Sequence, residues 1–483
     1  MGFAAVQRVV GFLIAWSSLM MLPPALVSLW YRDGSLMLFL LSATILLTAG
    51  LMIYIPVRRA QQDLRLRDGF VIVVAAWLAM VLVGALPFAM AEAPDLSYVD
   101  AVFESMSGLT TTGATIIAEL DALPRSLLYY RQQLQWLGGM GIIVLAVAIL
   151  PMLRIGGMQL YRAEMPGPVK DTKLTPRIAE TAKALWLIYV GITVVCAFAY
   201  WLAGMRLFDA VGHAFSTVAI GGFSTHDASL AFWDNPTVEV IASVFMVIAG
   251  INFALHFTAW RRASTQPYFV DPEIRVYAFL LVAFALLVSF GLYLDGSYAT
   301  LSSAFRFGSF QAISAMTTTG FTTAPFYAWP GFIPYLLICI AFIGGCAGST
   351  AGGMKVIRII LLYRQSLREI RRLIHPHAVI PVKIGGQRTS DTVISAVWGF
   401  FFLYIASFVL MTLLLTATGL DAETAFSAVG ACLTNLGPAL GEAGPHYASL
   451  NDPAKIILSL AMLLGRLEIY TLLVVLTPAF WRD

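Results

Sequence analysis

Four segments of this 483-residue chain are built alike, and they constrain its fold more than any other feature. They read SGLTTTGAT (107–115), STVAIGGFST (216–225), SAMTTTGFTT (314–323) and ACLTNLGPAL (431–440). Aligned on Gly113, Gly222, Gly320 and Gly437, they recur at intervals of 109, 98 and 117 residues. The match continues upstream. Asp100-Ala101-Val102 and Asp209-Ala210-Val211 coincide without a gap, and Ser107, Ser216 and Ser314 share one position, held by Ala431 in the fourth segment. Position-matched identity of this kind marks internal repetition. Each glycine turn follows an apolar segment too short to cross a bilayer, as a re-entrant half-helix would be.

A composition of 59% hydrophobic and 12% charged residues, with mean hydropathy +0.81, excludes an ordinary soluble protein. Ten apolar runs have the character of membrane crossings: 9–29, 36–55, 70–90, 134–153, 184–203, 238–260, 277–294, 332–343, 396–415 and 456–476. The first is too long and too weakly headed for a cleavable signal peptide. Of 30 Lys and Arg, 21 fall in the segments 58–67, 154–183, 261–275 and 355–388, whereas the loops with the glycine turns hold only Arg32, Arg125, Arg131, Arg206, Arg306 and Lys455. The positive-inside rule therefore predicts that the basic loops and both termini are cytoplasmic and that the turns open outward. Asp95, Asp100, Glu119, Asp121, Asp209, Asp227, Asp234, Asp295, Asp421 and Glu442 gather on that outer side. They would concentrate cations at a pore mouth, although exposed loops need charge in any case.

The turns suggest ion chemistry. Thr and Gly disfavour a continued helix, and glycine reaches the positive φ that aims successive carbonyls at an axis. The candidate filter residues are Thr111, Thr112 and Gly113, then Ile220, Gly221 and Gly222, then Thr318, Thr319 and Gly320, and finally Asn435, Leu436 and Gly437. Rings of backbone carbonyls replace the hydration shell of a potassium ion in this way, and threonine hydroxyls could add oxygens. One glycine per repeat predicts a short filter with loose K+/Na+ discrimination. Pro438 and the Ile220-Gly221 pair make the ring only pseudo-fourfold. The competing explanation, small residues for helix packing, accounts poorly for four turns in matched register.

A second feature is the run Gly344, Gly345, Cys346, Ala347, Gly348, Ser349, Thr350, Ala351, Gly352, Gly353, which interrupts the last crossing of the third repeat. It resembles a phosphate loop only superficially, because Met354 separates Gly353 from Lys355. A weakly helical loop below a filter reads as a gate, or as a passive irregularity. Arg466, deep in the final run, is functional by default. Carbonyls of the glycine loop are its expected partners, since Glu468 stands only two positions away. Arg358, Arg364, Arg368, Arg371 and Arg372 form a candidate docking face, or simply meet anionic lipid.

Other classes fit less well. An ion-coupled secondary transporter with discontinuous helices predicts inverted halves, not four repeats of one orientation. The six histidines show no H-E-x-x-H spacing, so no enzyme is indicated. Cys196, Cys339, Cys346 and Cys432 read as packing thiols.

With SGLTTTGAT, QWLGGMGIIVLAVAILP (135–151), GGMQLYRAEMPGP (156–168), AIGGFSTHD, FIGGCAGST and GRLEIYTLLV, the chain resembles the membrane subunit of bacterial Trk-type potassium uptake systems, the TrkH/TrkG family. Their superfamily also holds KtrB and plant HKT transporters. The resemblance covers the whole length. It implies an all-α polytopic membrane protein with two N-terminal crossings (1–68) and four fused helix–pore-loop–helix repeats (69–180, 181–274, 275–390 and 391–483) in pseudo-fourfold arrangement. It also implies K+ uptake across the bacterial inner membrane, a homodimer with one pore per protomer, and a cytosolic RCK/KTN-type (TrkA-like) regulatory subunit. That partner alone would bind nucleotide. No covalent cofactor and no nucleic-acid partner are expected. The family's filter carries over to Gly113, Gly222, Gly320 and Gly437, its intramembrane gating loop to 344–353, and its pore-facing arginine to Arg466.

Overall fold

The computed structural model describes residues 3–59, 66–144 and 178–482. The motif at 156–168, the end of that at 135–151 and most of the basic segment 154–183 lie outside the described residues. The described chain is helical apart from one antiparallel hairpin, Lys383–Ile384 with Gln387–Arg388. Its turn residues Gly385 and Gly386 both have positive φ, as a tight two-residue hairpin turn requires.

Helices Phe3–Ser17 and Leu36–Tyr54 form the first layer. Gly50 lies directly against the backbone of Ala15, where any side chain would overlap, so the two helices approach closely without a hydrophobic driving force. Asp33 accepts from the Ser126 backbone N–H at 2.8 Å, and Gln133 donates to the Met20 carbonyl at 2.8 Å, which fastens this layer to the first repeat.

Each repeat then follows one plan. A long outer helix (Leu66–Gly84, Ile178–Leu202, Pro272–Leu294 or Asp391–Ala417) leads to a buried half-helix. The half-helices are Tyr98–Leu109, Leu207–Ala219, Leu301–Thr317 and Ala422–Leu433. Ser97, Thr300 and Asp421 cap three of them by accepting from the N–H three residues on. A turn and an extended return segment lead to the second helix (Arg125–Val144, Pro236–Ala249, Ile333–Ala341 or Asp452–Arg466).

Among the described residues six helices are long and apolar enough to cross a membrane, or eight if each bent pair counts once. The runs 238–260 and 456–476, read above as continuous crossings, are broken. The first bends by 92° between Ala249 and Phe253, the second by 117° between Arg466 and Tyr470. Asn252 caps the new helix in the first case by accepting from the Ala254 N–H. In the second, Glu468 and Ile469 both take positive φ with no glycine or proline present, so tertiary bonds impose the break. Arg125–Val144 is not among the six helices. It carries Arg131, Gln132, Gln133 and Gln135, all buried against protein instead of lipid.

Candidate pore site

Every half-helix ends in the same way. The residues at Thr111, Ile220, Thr318 and Asn435 are left-handed, with φ of 52°, 55°, 61° and 57°. The following N–H, of Thr112, Gly221, Thr319 or Leu436, reaches back to the carbonyl of Ser107, Ser216, Ser314 or Ala431 at 2.8–2.9 Å. This is the Schellman closure of a helix C-terminus, built four times at matched positions. Two residues beyond each left-handed residue, Gly113, Gly222, Gly320 and Gly437 return to positive φ (83°, 79°, 80° and 94°). A backbone whose φ alternates in sign turns successive carbonyls toward one side, whereas a uniform strand points them alternately to opposite sides.

The four turns close on one another. A Cβ added to Gly113 would overlap the carbonyl oxygen of Gly221, one at Gly222 that of Thr319, one at Gly320 that of Leu436, and one at Gly437 that of Thr112. Repeats 1, 2, 3 and 4 thus follow each other around a ring, and the glycines are required by contact as well as by φ. Above the ring lies a cavity of about 470 Å³ lined by all four glycines. Of the ten outer-side acids only Asp227 lines it. Asp100 is paired with Lys455 at 2.6 Å, Asp234 with Arg306 at 2.8 Å, and Asp421 caps a half-helix. These acids serve local structure first. Asp121 pairs with His226 across repeats 1 and 2. Burial alone would lower the His226 imidazole, but Asp209 and Asp121 outweigh it and hold its pKa above the ordinary 6.5. Burial likewise works against ionised Asp121, and His226 with the Asp227 N–H reverses this, so its pKa lies below 3.8.

The threonine hydroxyls brace the turns. Thr112 Oγ1 bonds Thr110 Oγ1 at 2.8 Å and Thr319 Oγ1 bonds Thr317 Oγ1 at 2.7 Å. Thr318 Oγ1 accepts from the Gly352 N–H at 2.7 Å. Two carbonyls of the candidate set also have protein donors: Gly221 O accepts from Gln135 Nε2 at 2.6 Å, and Gly437 O from the Tyr447 hydroxyl at 2.6 Å. Asn435 Nδ2 donates to Thr112 Oγ1 and to the Met462 carbonyl, each at 3.0 Å, tying the fourth turn to the first.

Sequence reading missed the ion pair behind the ring. Arg131, grouped above with the outer-loop residues, is fully buried. Its Nε meets Glu104 Oε1 at 2.7 Å, Nη1 donates to the Ser224 carbonyl at 3.1 Å, and Nη2 to Thr115 Oγ1 at 3.1 Å. Glu104 also accepts from the Ile116 N–H at 3.1 Å. The pair therefore ties together the return segments of repeats 1 and 2. The available signal was a second charge, nine residues before Gly113, one turn beyond Asp100 in a half-helix that enters the membrane-level region.

The glycine-rich loop lies directly beneath the ring. Gly344, Gly348 and Gly353 have positive φ, and side chains on Gly345 and Gly352 would overlap Ala351 and the Thr434 carbonyl. Gly353 N–H donates to the Thr434 carbonyl at 3.0 Å, and Thr350 Oγ1 to the Val218 carbonyl at 3.0 Å. Cys346 N–H donates to the Gly250 carbonyl at 2.9 Å, and Ser349 Oγ turns back onto the Cys346 carbonyl at 2.6 Å. Glu273 accepts from the Ala347 N–H at 2.9 Å. Arg466, 1% exposed, donates to the Thr350 carbonyl and to that of Gly138, each at 3.1 Å. The expected arginine–loop contact is present, and it extends to the first repeat. Arg358 is unsuited to docking. It is buried, pairs with Glu468 and stacks on Phe400 with 4.2 Å between guanidinium carbon and ring centre.

A polytopic helical chain whose four repeats meet in such a ring falls in the class of four-repeat membrane transport proteins. The family model TrkH, cation transport protein, matches residues 36–482. The Trk system potassium uptake protein TrkH of Halomonas elongata is 55% identical over 482 residues, covering 100% of both chains. TrkG of Escherichia coli is 41% identical over 478 residues, covering 99% of this chain and 98% of its own. The crystal structure of the potassium transporter TrkH from Vibrio parahaemolyticus superposes with a TM-score of 0.93 at 52% identity, covering 100% of each chain. The chain belongs to the TrkH family. Those relatives are named as transport proteins, not enzymes.

Proposed function

We propose that this chain carries K+ into the bacterial cell across the inner membrane, along the axis enclosed by the four turns. The observation that supports this most is the fourfold recurrence of the left-handed residue and positive-φ glycine around a closed ring. A dehydrated cation at that axis exchanges water oxygens for fixed carbonyl oxygens, with no reorganisation of the protein. Each half-helix directs the negative end of its dipole at the ring, which favours a cation there.

The loop 344–353 is the gate in this reading, and the conformation described is the closed one. The loop sits against Val218, Thr318 and Thr434, each just ahead of a ring glycine, and Arg466 holds it from the side. A homodimer receives a cytosolic, nucleotide-binding subunit on the basic face. Arg364, Arg371 and Arg372, on helix Val356–Ile374 that continues from the loop, remain candidates for that contact, whereas the Arg368 side chain is as covered as that of Arg358 and pairs with Asp391. Both termini are cytoplasmic.

Gly113→Ala tests the assignment. The added methyl group would meet the Gly221 carbonyl and would have to adopt a positive φ. Rb+ uptake into liposomes holding the variant should fall at least about tenfold, or lose its preference over Na+, while the protein still inserts. Uptake equal to the parent in rate and ion preference would remove the turns from the ion path.

A further inference from the structure

The second turn is built differently from its neighbours. Repeats 1 and 3 lock their turns internally, through the hydroxyl pairs Thr110–Thr112 and Thr317–Thr319. The corresponding residues of repeat 2 are Ala219 and Gly221, which have no hydroxyl to offer. A side chain from another repeat stands in their place.

Gln135, on helix Arg125–Val144 of repeat 1, is fully buried behind Gly221. A Cβ on Gly221 would overlap its Cδ, so the glutamine occupies the space that a side chain at 221 would need. Its amide makes two bonds that straddle Gly222. Nε2 donates to the Gly221 carbonyl at 2.6 Å, and Oε1 accepts from the Phe223 N–H at 3.0 Å. That pairing also fixes which end of the amide is oxygen. One rigid planar group thereby sets the spacing of the residues on either side of a ring glycine, from outside the ring.

We propose that Gln135 is a positioning residue for ion preference: it substitutes, from the first repeat, for the hydroxyl lock that the second turn lacks. The proposal rests on the reading of the turns as the ion path. Gly221 and Gln135 form a matched pair, since a side chain at 221 and a glutamine at 135 exclude each other.

The test uses the full-length protein in liposomes, with K+, Rb+ and Na+ uptake compared in variants that purify as monodisperse protein. Gln135→Met keeps the volume and removes both hydrogen bonds. It should lower the K+ over Na+ preference threefold to tenfold, on the order of the value of one or two buried hydrogen bonds. Gly221→Ala alone should lose most of its flux through overlap with Gln135. In the Gln135→Ala background the same change should cost much less, a non-additivity expected only of residues in contact. Unchanged preference in Gln135→Met, or additive effects in the double variant, would overturn the proposal. Gly113→Ala in parallel separates the two claims. If it alters flux while the Gln135 variants do not, the ion path stands and the positioning role falls. If neither alters flux, the ion path itself is wrong.

Discussion

Eight residues around the ring hold positive φ, and only four of them are glycine. Thr111, Ile220 and Thr318 are β-branched, for which a left-handed backbone costs on the order of 1–3 kcal/mol each. Such strain persists only where the surroundings over-determine it, and here the Schellman closures and the Thr and Gln135 bonds supply that constraint. Glu104 and Arg131 belong to the same scaffold. Removing one partner of a buried pair generally costs about 3–5 kcal/mol, because the other charge is left uncompensated. Outside the membrane, His226 and Asp121 join repeats 1 and 2 at the rim of the outer cavity. The folded-state pKa of His226 is raised, so its stabilising contribution is complete below the ordinary 6.5 and is lost as pH rises through the raised value. The lowered pKa of Asp121 gives the opposite limb, with stability lost as pH falls through its folded value. The melting temperature in detergent should therefore decline as pH rises above the ordinary imidazole value of 6.5, and His226→Gln should flatten that decline. An identical decline in the variant would mean that the pair contributes nothing measurable.

At the scale of the element, the turns were legible in the sequence because glycine, threonine and serine recur there in fixed register, and each closure uses those positions. The helix breaks were legible only in part. The break at 344–353 announces itself by glycine content, whereas those at 250–252 and 467–469 depend on Tyr277 against Gly250, on the Asn252 cap and on the Arg358–Glu468 pair. Arg131 escaped notice for a related reason. Hydropathy reports exposure to lipid, so a helix surrounded by protein reads as loop where it is polar, and the apolar run at 134–153 began nine residues after the helix itself does at Arg125. Arg466 draws these elements together, since it holds the third-repeat loop by the Thr350 carbonyl and the first repeat by that of Gly138. Arg466→Ala should release the loop and raise K+ flux in partner-free liposomes about tenfold, with ion preference unchanged because the ring is untouched. Flux no faster than the parent, from a variant that folds and inserts, would place the gate elsewhere.

For the whole molecule, the arrangement divides labour between a rigid upper part and a lower part with alternatives. The ring is fixed by contacts around its circumference, with each glycine against the carbonyl of the next repeat. The loop beneath is bonded to the second repeat at Val218, Ala249, Gly250 and Phe253, to Glu273 and Thr318, and to Thr434 and Arg466 of the fourth. In the proposed reading, helix Val356–Ile374, which continues from the loop, is the lever that would exchange this set for another. If the proposed reading holds, selectivity and gating reside in different layers of one chain, and movement of the loop leaves the carbonyls above it in place. This division supposes that ions move passively along the axis. The most direct measurement is tracer flux through liposomes containing only this protein, with K+, Rb+, Na+ and Li+ compared with and without an imposed pH gradient. The account predicts K+ and Rb+ flux down their own gradients without a pH gradient, with Na+ and Li+ slower. Flux that appears only when a pH gradient is imposed, or that passes all four ions equally, would contradict it.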